Sequence, residues 1–428
     1  MRRLALILML LALPASAAEF RALVGHGGPV MDAAISSDGS KVLTASFDNS
    51  VGLWTLGSDD VVWLEGHEAA VKSVLFLSDG RAASGGDDFA VEIWELTSGK
   101  RIHRLEGHKG QVNGLAISPD GRVLASAGWD GSIWLWDVES GAAIAEMTGH
   151  ESSVSDVAFS RGGETLYSAS ADGTIRTWDV ASATEDRLLV THGFGVNELL
   201  IGDGWLAYGA VDGGTRVLDT ETDEILADLT LDRRPILSLA LSPDGGRMAV
   251  GDGEGFVMTV TTDDWRIEDD YQVAGHGPVW ALAFTLDGDS LVGGGIDDTA
   301  YIWPVRNELD APIMATRTRG FLRDPGEMTN GERQFRRKCS ICHSLTEDGV
   351  RRAGPTLAGL FGRPAGSVDG YVYSDTVAKL GIEWNAETID KLFDLGPDHF
   401  IPGSKMPMQR IVKPEDRQDL IDYLRDNT

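Results

Sequence analysis

The sequence predicts two domains of opposite character: a long all-β ring of repeated units, followed by a small all-α domain. Three observations predict this. A pattern with a period of forty-odd residues runs from residue 20 to 306, and such periods mark repeat architectures. Short apolar runs separated by Asp-Gly and Pro-Asp-Gly turns fill each unit, without a long 3.6-residue periodicity. After Trp303-Pro304 the rhythm stops, and helical patterns flank the only two cysteines in the chain.

The repeat is anchored by Gly-His pairs at Gly25-His26, Gly66-His67, Gly107-His108, Gly149-His150 and Gly275-His276, with His192 in register between them. Downstream, each unit carries an acid six positions before an apolar anchor. These are Asp48/Trp54, Asp88/Trp94, Asp130/Trp136, Asp172/Trp178, Asp212/Leu218, Glu254/Val260 and Asp297/Trp303, seven units with anchors 40 to 43 residues apart. In the third unit, 112–118, 123–127 and 133–138 read as strands joined by Pro119-Asp120-Gly121 and Asp130-Gly131. A four-stranded sheet cannot bury both faces alone, so seven of them must pack radially.

The run Gly-His, Ser-Pro-Asp-Gly, Trp-Asp-Gly, Trp-Asp resembles the WD-repeat β-propeller family over about 285 residues. The match is closest in units one to four and seven. The resemblance implies a seven-bladed propeller over 19–306, with His, Asp and Trp of each unit tying a loop to the third strand. It further implies that Phe20–Val24 supplies the outer strand of the last blade and closes the ring. The one-per-blade register makes His26, His67, His108, His150 and His276 structural ties, not metal ligands. Family geometry places Met31, Phe47, Trp129 and Trp280 on one face of the ring, as a docking patch or as packing.

Met1–Ala18 reads as a signal peptide, with Arg2 and Arg3 before the apolar Leu4–Leu13 and a small-residue cleavage site at 15–18. The apolar run is about ten residues, and a membrane span needs about twenty. The mature chain is therefore expected to be exported, soluble and periplasmic. The 428 residues carry 66 acidic and 37 basic side chains, a formal net charge of −29. That balance excludes a nucleic-acid binder, which must neutralise phosphates. Two cysteines exclude a disulfide framework and a cysteine-ligated structural zinc.

Residues 307–324 are polar and read as a linker to a domain at 325–428. There Cys339-Ser340-Ile341-Cys342-His343 forms a Cys-x-x-Cys-His haem-attachment signature. The chemistry needs this spacing, because two thiols add to the porphyrin vinyls and the adjacent imidazole ligates iron. A zinc half-site would lack a second cluster, and a thioredoxin-like βαβ context is absent. Helices are expected over 328–338 and 414–427, with Phe335, Leu420, Ile421 and Leu424 on their apolar faces.

Gly331-Glu332-Arg333, Gly354-Pro355-Thr356-Leu357, Leu360-Phe361-Gly362-Arg363, Gly381-Ile382-Glu383-Trp384 and Ile401–Met406 resemble class I cytochrome c of the mitochondrial and bacterial type, over about 100 residues. The resemblance implies one covalent haem c on Cys339 and Cys342, with His343 the proximal and Met406 the distal iron ligand. It also implies that Pro355 positions His343 and that Arg363, Tyr373 and Trp384 hydrogen-bond the propionates. Met408 and His399 are the rival distal ligands. The chain departs from the family at the haem edge: Asp398 and His399 stand where docking lysines are usual. Residues 320–428 hold 15 basic and 17 acidic side chains, so nearly all the net negative charge belongs to the propeller. Arg333, Arg336, Arg337 and Lys338 form a basic run, either a solvated helix face or a contact with an acidic surface.

Two strong axial ligands leave no open position for a substrate, and the propeller shows no nucleophile–base pair or phosphate loop. The sequence thus predicts a periplasmic electron-transfer protein, its propeller docking redox-partner proteins such as a membrane respiratory complex. The alternative is a haem oxidoreductase whose propeller binds a substrate or added cofactor, and a third reading is a scaffold or sensor.

Overall fold

Seven four-stranded antiparallel sheets, each drawn from consecutive strands except the last, build the first domain. The computed structural model of the chain describes residues 20–231, 235–306, 313–314, 328–347, 351–406 and 409–428. The leader expected at Met1–Ala18, most of the 307–324 linker and Met408 lie outside these residues.

Blade 1 comprises Val30–Ile35, Lys41–Ser46, Ser50–Thr55 and Val61–Glu65, and blades 2 to 6 repeat that order. Each first strand shifts register after its opening residue, at Val30/Asp32 in blade 1 and Val154/Asp156 in blade 4. The bulge presents the following acid at the inner end of the sheet. In the third unit the observed strands Val112–Ile117, Val123–Gly128 and Ser132–Asp137 lie within one residue of the expected bounds. Blade 7 takes Val279–Phe284, Ser290–Gly295 and Thr299–Pro304, and Arg21–Val24 pairs with the last of these from Arg21↔Ile302 to Val24↔Thr299. The ring is closed by its own N-terminal strand, and Val30 N–H donates to the Asp297 carbonyl across the seam (3.1 Å).

Buried ties stiffen the blades. His26 Nδ1 meets the Asp48 carboxylate at 3.0 Å and its Nε2 meets Thr44 Oγ1 at 2.7 Å, while Trp54 Nε1–H donates to the same hydroxyl at 2.8 Å. Blades 2 to 4 repeat this with Ser84, Ser126 and Ser168. The hydroxyl residue was not among the expected members, although it always stands ten positions before the tryptophan. Burial alone would raise the Asp48 carboxyl, but the His26 charge and hydrogen bond outweigh it and hold it at about 2. In blade 5 His192 turns its Nε2 to Asp212 (3.0 Å), with Tyr208 where blades 1 to 4 have the small hydroxyl.

Two expected ties are corrected. His276 is exposed, and Asp297 instead accepts from Tyr301 Oη–H (2.9 Å), while Trp303 Nε1–H donates to Tyr271 Oη (3.1 Å). A buried phenol supplies the donor that the imidazole supplies elsewhere. In blade 6 the carboxylate that caps the turn is Asp252, accepting from the Glu254 and Phe256 N–H groups (2.9 and 3.0 Å). Ile313 and Met314, inside the expected linker, are buried against blades 6 and 7, and Met314 N–H donates to the Val273 carbonyl (2.7 Å).

The second domain is helical: α1 is Asn330–Lys338, α2 Asp375–Ala378, α3 Ala386–Leu395, α4 Pro397–Phe400 and α5 Pro414–Asn427. Helices α1 and α5 pack together over a core of Phe335, Leu360, Ile389, Leu392, Phe393, Leu420, Ile421 and Leu424. Among the described residues no helix is long and apolar enough to cross a membrane.

Candidate functional site

Helix α1 starts where the Thr329 hydroxyl accepts from Glu332 N–H (3.2 Å), a polar cap on a helix whose apolar residue is Phe335. Its last turn runs straight into the cysteine motif. Cys339 N–H donates to the Phe335 carbonyl (2.8 Å), and Cys342 and His343 N–H groups both fold back to the Cys339 carbonyl (3.0 and 2.9 Å). This tight turn brings both thiols and the imidazole to one cavity of about 370 Å³.

Both cysteines are buried and unpaired. Burial pushes the Cys339 thiol up to about 12 and Cys342 to about 11. Burial thus favours the protonated thiols, whose S–H would add across a vinyl group to form a thioether. A thiolate metal site would need the opposite. His343 is buried, which lowers its affinity for a proton. Its Nδ1–H donates to the Pro355 carbonyl at 2.7 Å, leaving Nε2 with a lone pair for a metal. Gly354, whose N–H donates to the Cys342 carbonyl (2.8 Å), stands against the ring, and a Cβ there would run into the imidazole.

Met406 lines the same cavity and packs on the haem-domain core. Its loop follows α4 and turns at Gly403, whose φ of 76° favours glycine. Ser374 Oγ–H donates to the Gly403 carbonyl (2.6 Å), and Met406 N–H donates to Ser404 Oγ (3.0 Å). Arg363, Tyr373 and Trp384 also line the cavity. Arg363 donates to the Ala358 and Thr356 carbonyls (2.6 and 2.7 Å), and Tyr373 Oη accepts from Val368 N–H (3.3 Å). His399 is exposed and sits beside Asp398 at 3.0 Å.

Sequence reasoning missed Tyr371, whose Oη–H donates to the Ala353 carbonyl (2.6 Å) and whose ring meets Tyr373 edge-on at 4.7 Å. It also missed the propeller: Phe47, Asn49, Ala69, Ala70, Asp87 and Gln111 complete the cavity wall. Of the four ring-face residues singled out, Phe47 is at this wall, Trp129 is exposed and Met31 packs in the core between blades 1 and 2; Trp280 is half-buried. Of the basic run, Arg336 lies near Glu332 (3.5 Å) and Lys338 Nζ donates to the Arg410 carbonyl (3.3 Å), while Arg337 is exposed. The described ion pairs between domains come from Arg351.

Among the described residues, one group has ligand atoms close enough for a metal: His67, Asp88 and Glu92. Its atoms are hydrogen-bonded apart from Glu92 Oε2, and Arg101 and Arg104 already offset its negative charge. His67 Nε2 meets Ser84 Oγ (2.8 Å), and Glu92 accepts from Arg101 and Arg104 (2.6 and 2.8 Å).

A paired-thiol turn whose imidazole is oriented by a backbone carbonyl, in a mainly apolar cavity with a thioether, defines a c-type cytochrome domain. Residues 328–428 match the cytochrome c family, and residues 18–55, 60–95, 99–137, 141–179 and 270–304 match the WD domain, G-beta repeat. Cytochrome c of Gibberella zeae is 43% identical over 103 residues, 96% of that protein and 24% of this chain. Cytochrome c of Stellaria longipes is 42% identical over 103 residues, 94% of that protein and again 24% of this chain. The chain belongs, through its C-terminal domain, to the cytochrome c family, and that domain carries covalently bound haem c. Blades 5 and 6, between the matched repeats, have the same four-stranded order as the others.

Proposed function

We propose that this protein is a periplasmic carrier of single electrons, working through one haem ligated by His343 and Met406, with a propeller that docks partner proteins and no catalysis of its own. The haem supplies a one-electron Fe(III)/Fe(II) couple when bound. The observation that carries the reading is the His343 imidazole: its Nδ1–H is held by the Pro355 carbonyl, and its Nε2 is the free donor in the cavity that Met406 also lines. Cys339 and Cys342 hold the group covalently. Arg363, Tyr373 and Trp384 line the cavity and would hold its propionates, with the arginine already braced by two carbonyls. The apolar wall around Leu360, Ile389 and Phe393 would limit water at the iron and favour the reduced, less charged centre. Export through Met1–Ala18 places this chemistry where c-type haem persists on secreted chains.

The test is an optical spectrum of the mature holoprotein, oxidised and reduced, with and without carbon monoxide. A low-spin haem c that ignores carbon monoxide is expected, and Met406→Ala should make the reduced protein bind it. Carbon monoxide binding by the wild type would overturn closure and favour the oxidoreductase reading. An unchanged low-spin spectrum in Met406→Ala would move the sixth ligand to Met408 or His399.

A further inference from the structure

We infer that the rim of blades 1 to 3 is a built-in cover for the haem crevice, latched by Arg351 onto blade 1. An external redox partner must then displace it with a surface of the same kind, acidic and aromatic. The inference rests on residues 328–428 being the electron-carrying domain.

Blade 1 differs from its neighbours at two places, and each difference receives Arg351. The first is the position after the tie histidine. Blades 2, 3 and 4 carry Glu68, Lys109 and Glu151 there, and their N–H groups donate to Asp88, Asp130 and Asp172. Gly27 N–H makes the same bond to Asp48 (2.8 Å), but a Cβ on Gly27 would fall on the backbone of Arg351. The glycine makes room for the haem domain's chain.

The second place is the outer strand. In blade 2 Arg104 pairs opposite Glu92, and its guanidinium reaches the tie carboxylate of Asp88 at 3.0 Å. In blade 1 the equivalent residue is Trp63, opposite Gly52. The arginine comes from the other domain instead: Arg351 Nε lies 3.7 Å from the Asp48 carboxylate, and the guanidinium lies 5.1 Å from the Trp63 ring centroid. Trp63 itself meets His26 edge-on at 4.8 Å, so the cation stacks on a ring fixed by the buried tie. At the end of that strand Glu65, matched by Glu106 in blade 2, pairs directly with the Arg351 guanidinium.

The latch sets the rim over the crevice. Phe47 and Asn49 from the blade 1 turn, Ala69 and Ala70 from the loop into blade 2, Asp87 and Gln111 share one cavity with Cys339, Cys342 and His343. An incoming protein cannot reach that side while the rim is seated. The latch is two ion pairs and one cation–π contact at a partly exposed arginine, strong enough to bias the pose and weak enough to be exchanged.

The experiment compares the full-length holoprotein with Arg351→Glu and Gly27→Glu. The readouts are the radius of gyration by small-angle X-ray scattering and the rate of haem reduction by the anionic complex Fe(EDTA)²⁻. Both substitutions add negative charge, which by repulsion alone would slow an anionic reductant. Uncovering should instead raise the rate by roughly tenfold, the shift expected from losing contacts of this strength. The radius of gyration should increase in both variants. Wild-type rates and radii in both, with the low-spin spectrum intact, would overturn the cover. Loss of the low-spin spectrum in the wild type would overturn the electron-carrier reading instead.

Discussion

Three carboxylates on the innermost strands show how one residue can run against the fold it belongs to. Asp32, Asp156 and Glu198 occupy the bulge position of blades 1, 4 and 5, where blades 2 and 6 carry Ser73 and Ser238. Asp32 and Asp156 each bridge to the next blade, accepting from Val74 and Leu199 N–H groups (2.8 and 2.9 Å). Burial raises Asp32 to about 6 and Asp156 to about 7, despite those bonds. Burial likewise raises Glu198 well above its ordinary range, with the charges of Asp156 and Asp32 adding to it. A carboxyl raised in the fold binds more protons there than in the unfolded chain. Its contribution is therefore favourable below its unfolded pKa and is lost as pH rises through the folded value. Glu198→Gln should stabilise the propeller at pH 7 to 8 by on the order of 1 kcal/mol, and the gain should vanish near pH 4. Urea unfolding followed by tryptophan fluorescence at both pH values checks this, and an equal gain at pH 4 would defeat the electrostatic account.

Residues whose chemistry demands fixed spacing were legible in the sequence, and residues brought together by closure were not. Cys339, Cys342 and His343 announce themselves because one turn must present all three. Phe47, Ala70, Asp87 and Gln111 come from four separate loops, and only the ring and the docked domain make them one wall. His276 misled because spacing cannot reveal that Tyr301 takes Asp297. Arg351 carried no signal of its own; its place is set by Gly27 and Trp63, hundreds of residues upstream.

At the scale of elements, the haem domain depends on how closely α1 and α5 approach. Gly331 sits in the first turn of α1, and a Cβ there would meet the Asp419 carbonyl and the Tyr423 side chain. Asn330 fastens the crossing by donating to Asp416 and Asp419 (2.8 and 2.7 Å), and the Phe335 and Tyr423 rings lie 5.7 Å apart. The helices themselves were readable from apolar spacing, but the glycine's purpose lies in its neighbour, which the α1 pattern alone does not contain. Gly331→Ala adds a methyl group where backbone stands in the way, an overpacking cost of about 1–3 kcal/mol. Alanine's better helix propensity offsets less than about 1 kcal/mol of that. Thermal unfolding followed at the haem band should shift to lower temperature, while the tryptophan signal of the propeller keeps its midpoint. A midpoint that rises would mean that the helices part without strain and that propensity decides.

The propeller ring is closed by a strand of four residues. Arg21–Val24 pairs with Thr299–Pro304, so the last blade is completed only after nearly all the propeller sequence has been made. Such a distant pairing is a late event in folding, and without it the 299–304 strand would be a bare edge open to other chains. Leu23 is the hinge of this closure, fully buried with Trp54, Ile302 and Ala300 across the seam of blades 1 and 7. The formal charge of −29, carried almost wholly by the propeller, keeps copies apart in solution but pushes against compaction, so closure rests on this apolar contact and the strand hydrogen bonds. Leu23→Asp places an unpaired charge at the seam and should cost upward of about 3 kcal/mol. The freed edge should then recruit a second copy, giving concentration-dependent dimers by light scattering that the wild type lacks. The haem spectrum should persist, because the haem domain's core contains no propeller side chain. A variant that stays monomeric with an unchanged unfolding midpoint would show that the six complete blades close the ring without the seventh blade's outer strand.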